Sequence, residues 1–113
     1  MAIFKRKHLT KILAGQKTQT RRIHRPISQG WQIGKTYGIR DRWFTKPQTH
    51  ITILRKFRQR LGDITQEDVQ KEGYTSMEEF RKVWAEIYGQ WNPDQIVTVY
   101  EFKKVDEPPG LLR

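Results

Sequence analysis

The chain of 113 residues contains no cysteine. That excludes disulfides and thiolate-held metals, and it agrees with a cytoplasmic protein, the expected location. Long apolar runs are missing too. Nothing approaches the ~20 residues that span a bilayer, and Met1-Ala2-Ile3-Phe4-Lys5-Arg6-Lys7 has no extended apolar core of the signal type. The three histidines, His8, His24 and His50, are scattered, with no second histidine four residues on, so no metal site is expected. No Gly-rich phosphate loop is present: Gly15-Gln16-Lys17-Thr18 lacks the upstream glycine, and the helical run precedes it rather than following. No cofactor is therefore expected. Acidic residues are scarce, 12 against 22 Lys and Arg, for a net charge of +10. A surplus of that size on a small domain points to a polyanion, nucleic acid before a membrane surface.

The stretch around which the chain is organised is Gly15-Gln16-Lys17-Thr18-Gln19-Thr20-Arg21-Arg22. A short helical run precedes it, Lys7 to Ala14, with Leu9, Ile12 and Leu13 spaced for one buried stripe. Gly15 stands where a helix ends in a left-handed residue. The Lys, Thr and Arg composition that follows favours extended structure. The segment thus reads as helix end, turn and strand, the strand running from Thr18 to Ile23. Taken alone, it could be a solvated basic strand.

Downstream, Thr36 to Arg40 and His50 to Leu61 read as strands, the second ending in the basic cluster Arg55, Lys56, Arg58 and Arg60. Two helices follow. Thr65 with Asp68 and Ser76 with Glu79 are their capping-box signals, and Gly73 and Gly89 end them. Met77, Phe80, Trp84, Ile87 and Tyr88 share one face of the second. A turn at Trp91-Asn92-Pro93 leads to a last strand, Gln95 to Val105. One domain, 1–105, followed by a tail at 106–113 rich in Pro and Gly, is the expected organisation. Strands interleaved with helices and marked by Gly turns suit an α+β domain, a small partly open barrel with helices packed on it.

The pattern Gly15-x-Lys17-x-x-Thr20-x-Arg22 after Ile12-Leu13-Ala14 resembles the signature of the ASCH domain family, within the PUA-like superfamily. The resemblance continues through Lys71-Glu72-Gly73, Met77-Glu78-Glu79-Phe80, Trp84, Trp91-Asn92-Pro93 and the run Val97 to Phe102. It implies a PUA-like β-barrel with flanking helices. In family members that act as amidohydrolases it assigns catalysis to the motif's Lys and Thr and to a Glu of the helical segment, which here are Lys17, Thr20 and Glu72.

Parity constrains that assignment. Side chains three apart on a strand point to opposite faces, so Lys17 and Thr20 share a site only if Lys17 lies on the turn and pairing begins after it. A lysine serves as base or nucleophile when burial or neighbouring cations lower its pKa. The simpler reading makes Lys17 and Glu72 an ordinary ion pair. For nucleic acid, Lys17, Thr20, Arg21, Arg22, Arg40, Arg42, Arg55 and Arg58 are the candidate backbone contacts, and Trp43 the stacking ring. Trp31 and Tyr37 either join it or plug the core. The expected function is therefore binding of RNA or single-stranded nucleic acid in one basic cleft, and the alternative is hydrolysis, in the same cleft, of a modified nucleoside such as N4-acetylcytidine or of RNA itself.

Overall fold

A computed structural model describes residues 2–4, 6–23, 30–40 and 46–105. Arg42, Trp43 and the tail 106–113 lie outside the described residues. The elements run β1 (Ala2–Ile3), α1 (Arg6–Leu13), β2 (Gln19–Ile23), β3 (Thr36–Arg40), β4 (Thr49–Arg60), α2 (Gln66–Lys71), α3 (Met77–Tyr88) and β5 (Ile96–Val105). Among the described residues no helix is long and apolar enough to cross a membrane.

The strands form one sheet in the order β1-β3-β4-β5-β2, antiparallel except for the parallel pairing of β1 with β3. Among the described residues β1 and β2 are its outer strands and do not pair with each other. The expected α+β architecture holds, and the barrel is an approximation to an open sheet. The β4–β5 pairing shifts register at Leu54, an extra residue in β4: Ile53 faces Phe102 while Arg55 faces Glu101. Such a bulge kinks a strand and sharpens its twist.

Both faces of the sheet are covered. In β5 the residues of one parity, Val97 and Val99, pack with Leu61, Ile64, Val69, Tyr74, Phe80 and Trp84 around α2 and α3. Those of the other parity, Tyr100 and Phe102, pack with Phe4, Leu9, Ile12, Ile39, Ile51 and Ile53 on the α1 side. This is why β5 reads as a nearly continuous apolar run rather than an alternating one. Trp31 and Tyr37 pack against the α1-side core. Leu13 does not join it; it is exposed, so the stripe of α1 is narrower than its sequence suggests.

The helix ends are built as their sequences require. Thr65 and Asp68 form a reciprocal capping box. Ser76 accepts from the Glu79 amide, but the Glu79 carboxylate reaches back to the Thr75 amide rather than to Ser76. At the end of α1 the Gln16 amide donates to the Lys11 carbonyl at 2.8 Å and the Gly15 amide to Ile12 at 3.0 Å, with Gly15 at φ 78°. This paired pattern is the Schellman motif, and it needs a left-handed residue at Gly15. It turns the chain from α1 into β2 within a few residues.

Candidate functional site

The turn after Gly15 delivers Lys17 to the C-terminal end of α2. There the Lys71 carbonyl accepts from the Thr18 amide at 2.8 Å, the Glu72 carbonyl from Lys17 Nζ at 3.0 Å, and the Gly73 carbonyl from Lys11 Nζ at 2.6 Å. Carbonyls at a helix end lack partners within the helix and carry its negative pole, so cations are favoured there. Lys17 Nζ also donates to Glu72 Oε1 at 2.9 Å, with Lys17 only 3% and Glu72 4% exposed. Burial lowers the pKa of Lys17 below the ordinary lysine value; Glu72 opposes that shift, and Arg22 and Lys11 add to it.

Arg21 closes the other side of Glu72. Its Nη1 donates to Glu72 Oε2 at 2.9 Å and to Gln19 Oε1. Its Nε and Nη2 donate to Gln59 Oε1 at 3.1 and 3.0 Å, and Nη2 lies 3.5 Å from Asp68 Oδ2. Gln19 is held in turn by Glu101 Oε2 at 2.9 Å. Every nitrogen of the guanidinium thus donates to a protein acceptor.

Thr20 and Arg22 occupy the other parity of β2. The Arg22 guanidinium lies 5.0 Å over the Phe4 ring and 5.4 Å over Trp31, and its Nε is buried without a partner among the described residues. Because β2 is an outer strand, side chains of both its faces reach one pocket at the sheet's edge. That pocket has a volume of about 200 Å³. Lys17, Thr20, Arg21, Arg22 and Glu72 line it on the polar side, and rings including Phe4, Tyr74, Phe80 and Trp84 on the other. No hydrogen bond among the described residues takes up the Thr20 hydroxyl. The parity constraint is met as the motif requires: Lys17 is on the turn, and pairing starts at Gln19 opposite Glu101.

Three-dimensional comparison places the fold. A crystal structure of an ASCH domain from Lactobacillus crispatus superimposes over 87% of this chain and 70% of that one, with a TM-score of 0.77 at 15% identity. The chain has an ASCH-like fold. A protein of the DUF984 family from Enterococcus faecalis matches over 88% of this chain and 71% of its own, with a TM-score of 0.69 at 20% identity. No family model and no curated protein matches the sequence.

The ASCH-like fold sorts the residues singled out from sequence. Lys17, Thr20 and Glu72 line one pocket although they come from a turn, a strand and a helix end. Arg22 joins them. Arg21 also lines the pocket, but it is buried and its guanidinium donates to Glu72 and Gln59. Arg40 is half-buried on β3, with its Nε enclosed and unpartnered among the described residues. Arg55 and Arg58 are exposed on β4, and Arg55 pairs with Glu101 at 2.9 Å. Arg42 and Trp43 lie outside the described residues.

Sequence reasoning passed over His8 and Tyr74. His8 Nε2 lies 3.2 Å from the Tyr74 hydroxyl, and both residues line the pocket. Burial, with Lys17, Lys11, Arg22 and Lys7 nearby, lowers the His8 pKa to about 4. Gln19 was legible in principle, since it shares the parity of Arg21 on a strand. No group of His, Asp or Glu suited to a metal occurs among the described residues.

Proposed function

We propose that the protein is an amidohydrolase acting on an acylated nucleoside of the N4-acetylcytidine type. One observation carries this reading: a desolvated lysine, a threonine hydroxyl with no partner among the described residues and a buried carboxylate converge on a pocket sized for a single small ligand. Drug-sized ligands occupy roughly 300–1,000 Å³, so a pocket of about 200 Å³ suits one base-sized group rather than a run of nucleotides.

The chemistry follows from the donors. As a neutral amine, Lys17 has two N–H groups and one lone pair. Its two acceptors, both on Glu72, use the N–H groups and leave the lone pair as base. Lys17 then takes the Thr20 proton as Thr20 Oγ attacks the acyl carbon. The C–N bond breaks, and that proton passes from Lys17 to the nucleobase nitrogen. Water, deprotonated by Lys17, cleaves the acyl-threonine ester, releasing the carboxylate and restoring Thr20. Glu72 orients the amine, and Arg21 holds Glu72.

A second reading, RNA or single-stranded nucleic-acid binding, is favoured by the net charge of +10 and by the exposed Arg55 and Arg58 on β4. A hydrolase for a free nucleoside needs no such charge.

The test is acetate release from N4-acetylcytidine, beside cleavage of a labelled single-stranded RNA. Lys17→Ala, Thr20→Val and Glu72→Gln are each checked for folding by circular dichroism. A catalytic unit fails as a whole, so each variant should lose about as much activity as all three combined. Wild-type protein that turns over neither substrate, while binding RNA, would exchange this reading for the second.

A further inference from the structure

His8 and Tyr74 form a pair that the mechanism above does not use. The rings meet edge to face, with centroids 5.8 Å apart at 77°, and one hydrogen bond of 3.2 Å joins Nε2 to the Tyr74 oxygen. His8 Nδ1 is buried without a partner among the described residues. A neutral imidazole carries one N–H, and a phenol carries one O–H. One bond between them consumes one of these two donors, so one donor is left over in either tautomer.

The two tautomers differ in where that donor sits. If the tyrosine donates, the surplus proton is on His8 Nδ1, enclosed and without an acceptor, at the cost of an unmade buried hydrogen bond. If Nε2 donates, the surplus proton is on the Tyr74 hydroxyl, which rotates about its C–O bond beside the pocket. The second leaves Nδ1 an unpaired acceptor rather than an unpaired N–H; it is the cheaper, because buried orphan donors are rarer than under-satisfied acceptors, and it puts the free O–H beside the pocket. Burial, with the charges of Glu72, Glu79 and Glu86, raises the Tyr74 pKa, which keeps the phenol protonated. The low pKa of His8 keeps the ring neutral at physiological pH.

We propose that Tyr74, oriented by His8, is the pocket's carbonyl-binding residue: its hydroxyl donates a hydrogen bond to an amide-type carbonyl oxygen of the ligand. Tyr74 follows Glu72 and Gly73 at the end of α2, so a carbonyl held there lies on the wall that Lys17 also reaches. On the amidohydrolase reading, which sets only the choice of ligand, the donor stabilises the negative charge that develops on the acyl oxygen. The carbonyl of a pyrimidine ring offers the same chemistry.

Three measurements test this. The first is the tautomer of His8, read by nitrogen-15 NMR at neutral pH and assigned with His8→Gln. Nε2 should carry the proton; a protonated Nδ1 would commit the tyrosine proton to His8 and overturn the proposal. The second is a titration with acetamide, a bare amide carbonyl, followed at the Tyr74 ring signals. Saturating shifts in the wild type that vanish from the pocket signals of Tyr74→Phe support the proposal. Their absence sinks it whatever the nucleosides do. The third compares N4-acetylcytidine with cytidine. Tyr74→Phe should lower kcat/KM for the acylated substrate by about 10- to 100-fold. Unchanged cytidine affinity would place the acyl carbonyl at Tyr74, and weakened affinity the ring carbonyl; undiminished turnover and binding would count against the proposal. If the wild type responds to acetamide but neither binds nor cleaves a nucleoside, the hydrolase reading falls and the Tyr74 donor stands.

Discussion

Lys17 and Glu72 are joined twice: Nζ donates to the carboxylate Oε1 at 2.9 Å and to the backbone carbonyl of the same residue at 3.0 Å. The amine is thereby aligned by backbone as well as side chain, so its position survives a change in the carboxylate better than a simple ion pair would. Arg21 takes the other carboxylate oxygen at 2.9 Å. Glu72→Ala removes the carboxylate beside buried Lys17 and leaves buried Arg21 with Asp68 alone, and breaking such a buried pair costs about 3–5 kcal/mol. Denaturant unfolding checks it. A loss under ~1 kcal/mol would mean that water already reaches the cluster, as at surface pairs.

Activity on the acyl substrate should rise with pH. Burial lowers the Lys17 pKa, and in the proposed mechanism its deprotonated form is the base. The profile of kcat/KM should therefore show a limb that increases with pH, with its midpoint below the ordinary lysine value of 10.5. Lys17→Arg should abolish that limb, since an arginine stays protonated. A flat profile through neutral and alkaline pH would assign the base elsewhere.

Folding stability should fall between about pH 6.5 and pH 4 because of His8, whose pKa drops from 6.5 to about 4 on folding. In that window the unfolded chain binds a proton that the folded chain does not, so acid favours unfolding. The stabilisation is fully present above pH 6.5 and lost once pH passes through about 4. Discounted for the ring's partial exposure, the loss is about 1–2 kcal/mol. Asp68, with a pKa lowered by its Thr65, Arg21 and Gln19 contacts against the opposing effect of burial, acts in a more acidic window, below its ordinary value of 3.8. Melting temperatures of wild type and His8→Gln should converge towards pH 4; parallel curves would contradict the assignment.

Gly15 and Gly73 both have left-handed backbones, with φ of 78° and 95°, but different surroundings. A Cβ on Gly15 meets nothing within 4 Å, whereas one on Gly73 would lie 2.9 Å from Lys11 Cδ and 3.5 Å from Lys17 Cβ. Gly15→Ala should cost only the backbone term, about 1–2 kcal/mol. Gly73→Ala should cost more, because its Cβ meets Lys11 Cδ at 2.9 Å while Lys17 Cβ stays at ordinary contact distance. Equal losses in thermal melts would show that the Lys11 side chain gives way freely.

For RNA, log affinity should fall linearly with log salt. Arg58→Ala and Arg55→Ala should each flatten the slope by ~0.7 if they touch phosphates. An unchanged slope in both would remove β4 from the nucleic-acid surface.

The sequence by itself determined the local pieces. Apolar spacing placed α1 and α3, Thr65 and Ser76 marked helix starts, Gly15 marked the turn, and parity required Lys17 to precede the strand. These follow from interactions within a few residues, and the structure repeats them to within a residue or so at most ends. Only the tertiary structure decided which groups Arg21, His8 and Tyr74 meet. Arg21 and Arg22 are adjacent arginines of one basic run, yet one faces the α2 side and is consumed by Glu72, Gln19 and Gln59, while the other lies over Phe4 and Trp31. That division depends on which strand β2 pairs with and in which register, a choice made by residues some eighty positions away in β5. His8 meets Tyr74 across 66 positions for the same reason. Desolvation is a property of the packed whole, so no local pattern could assign the lowered pKa of His8 or Lys17, or bring the two rings together beside the pocket.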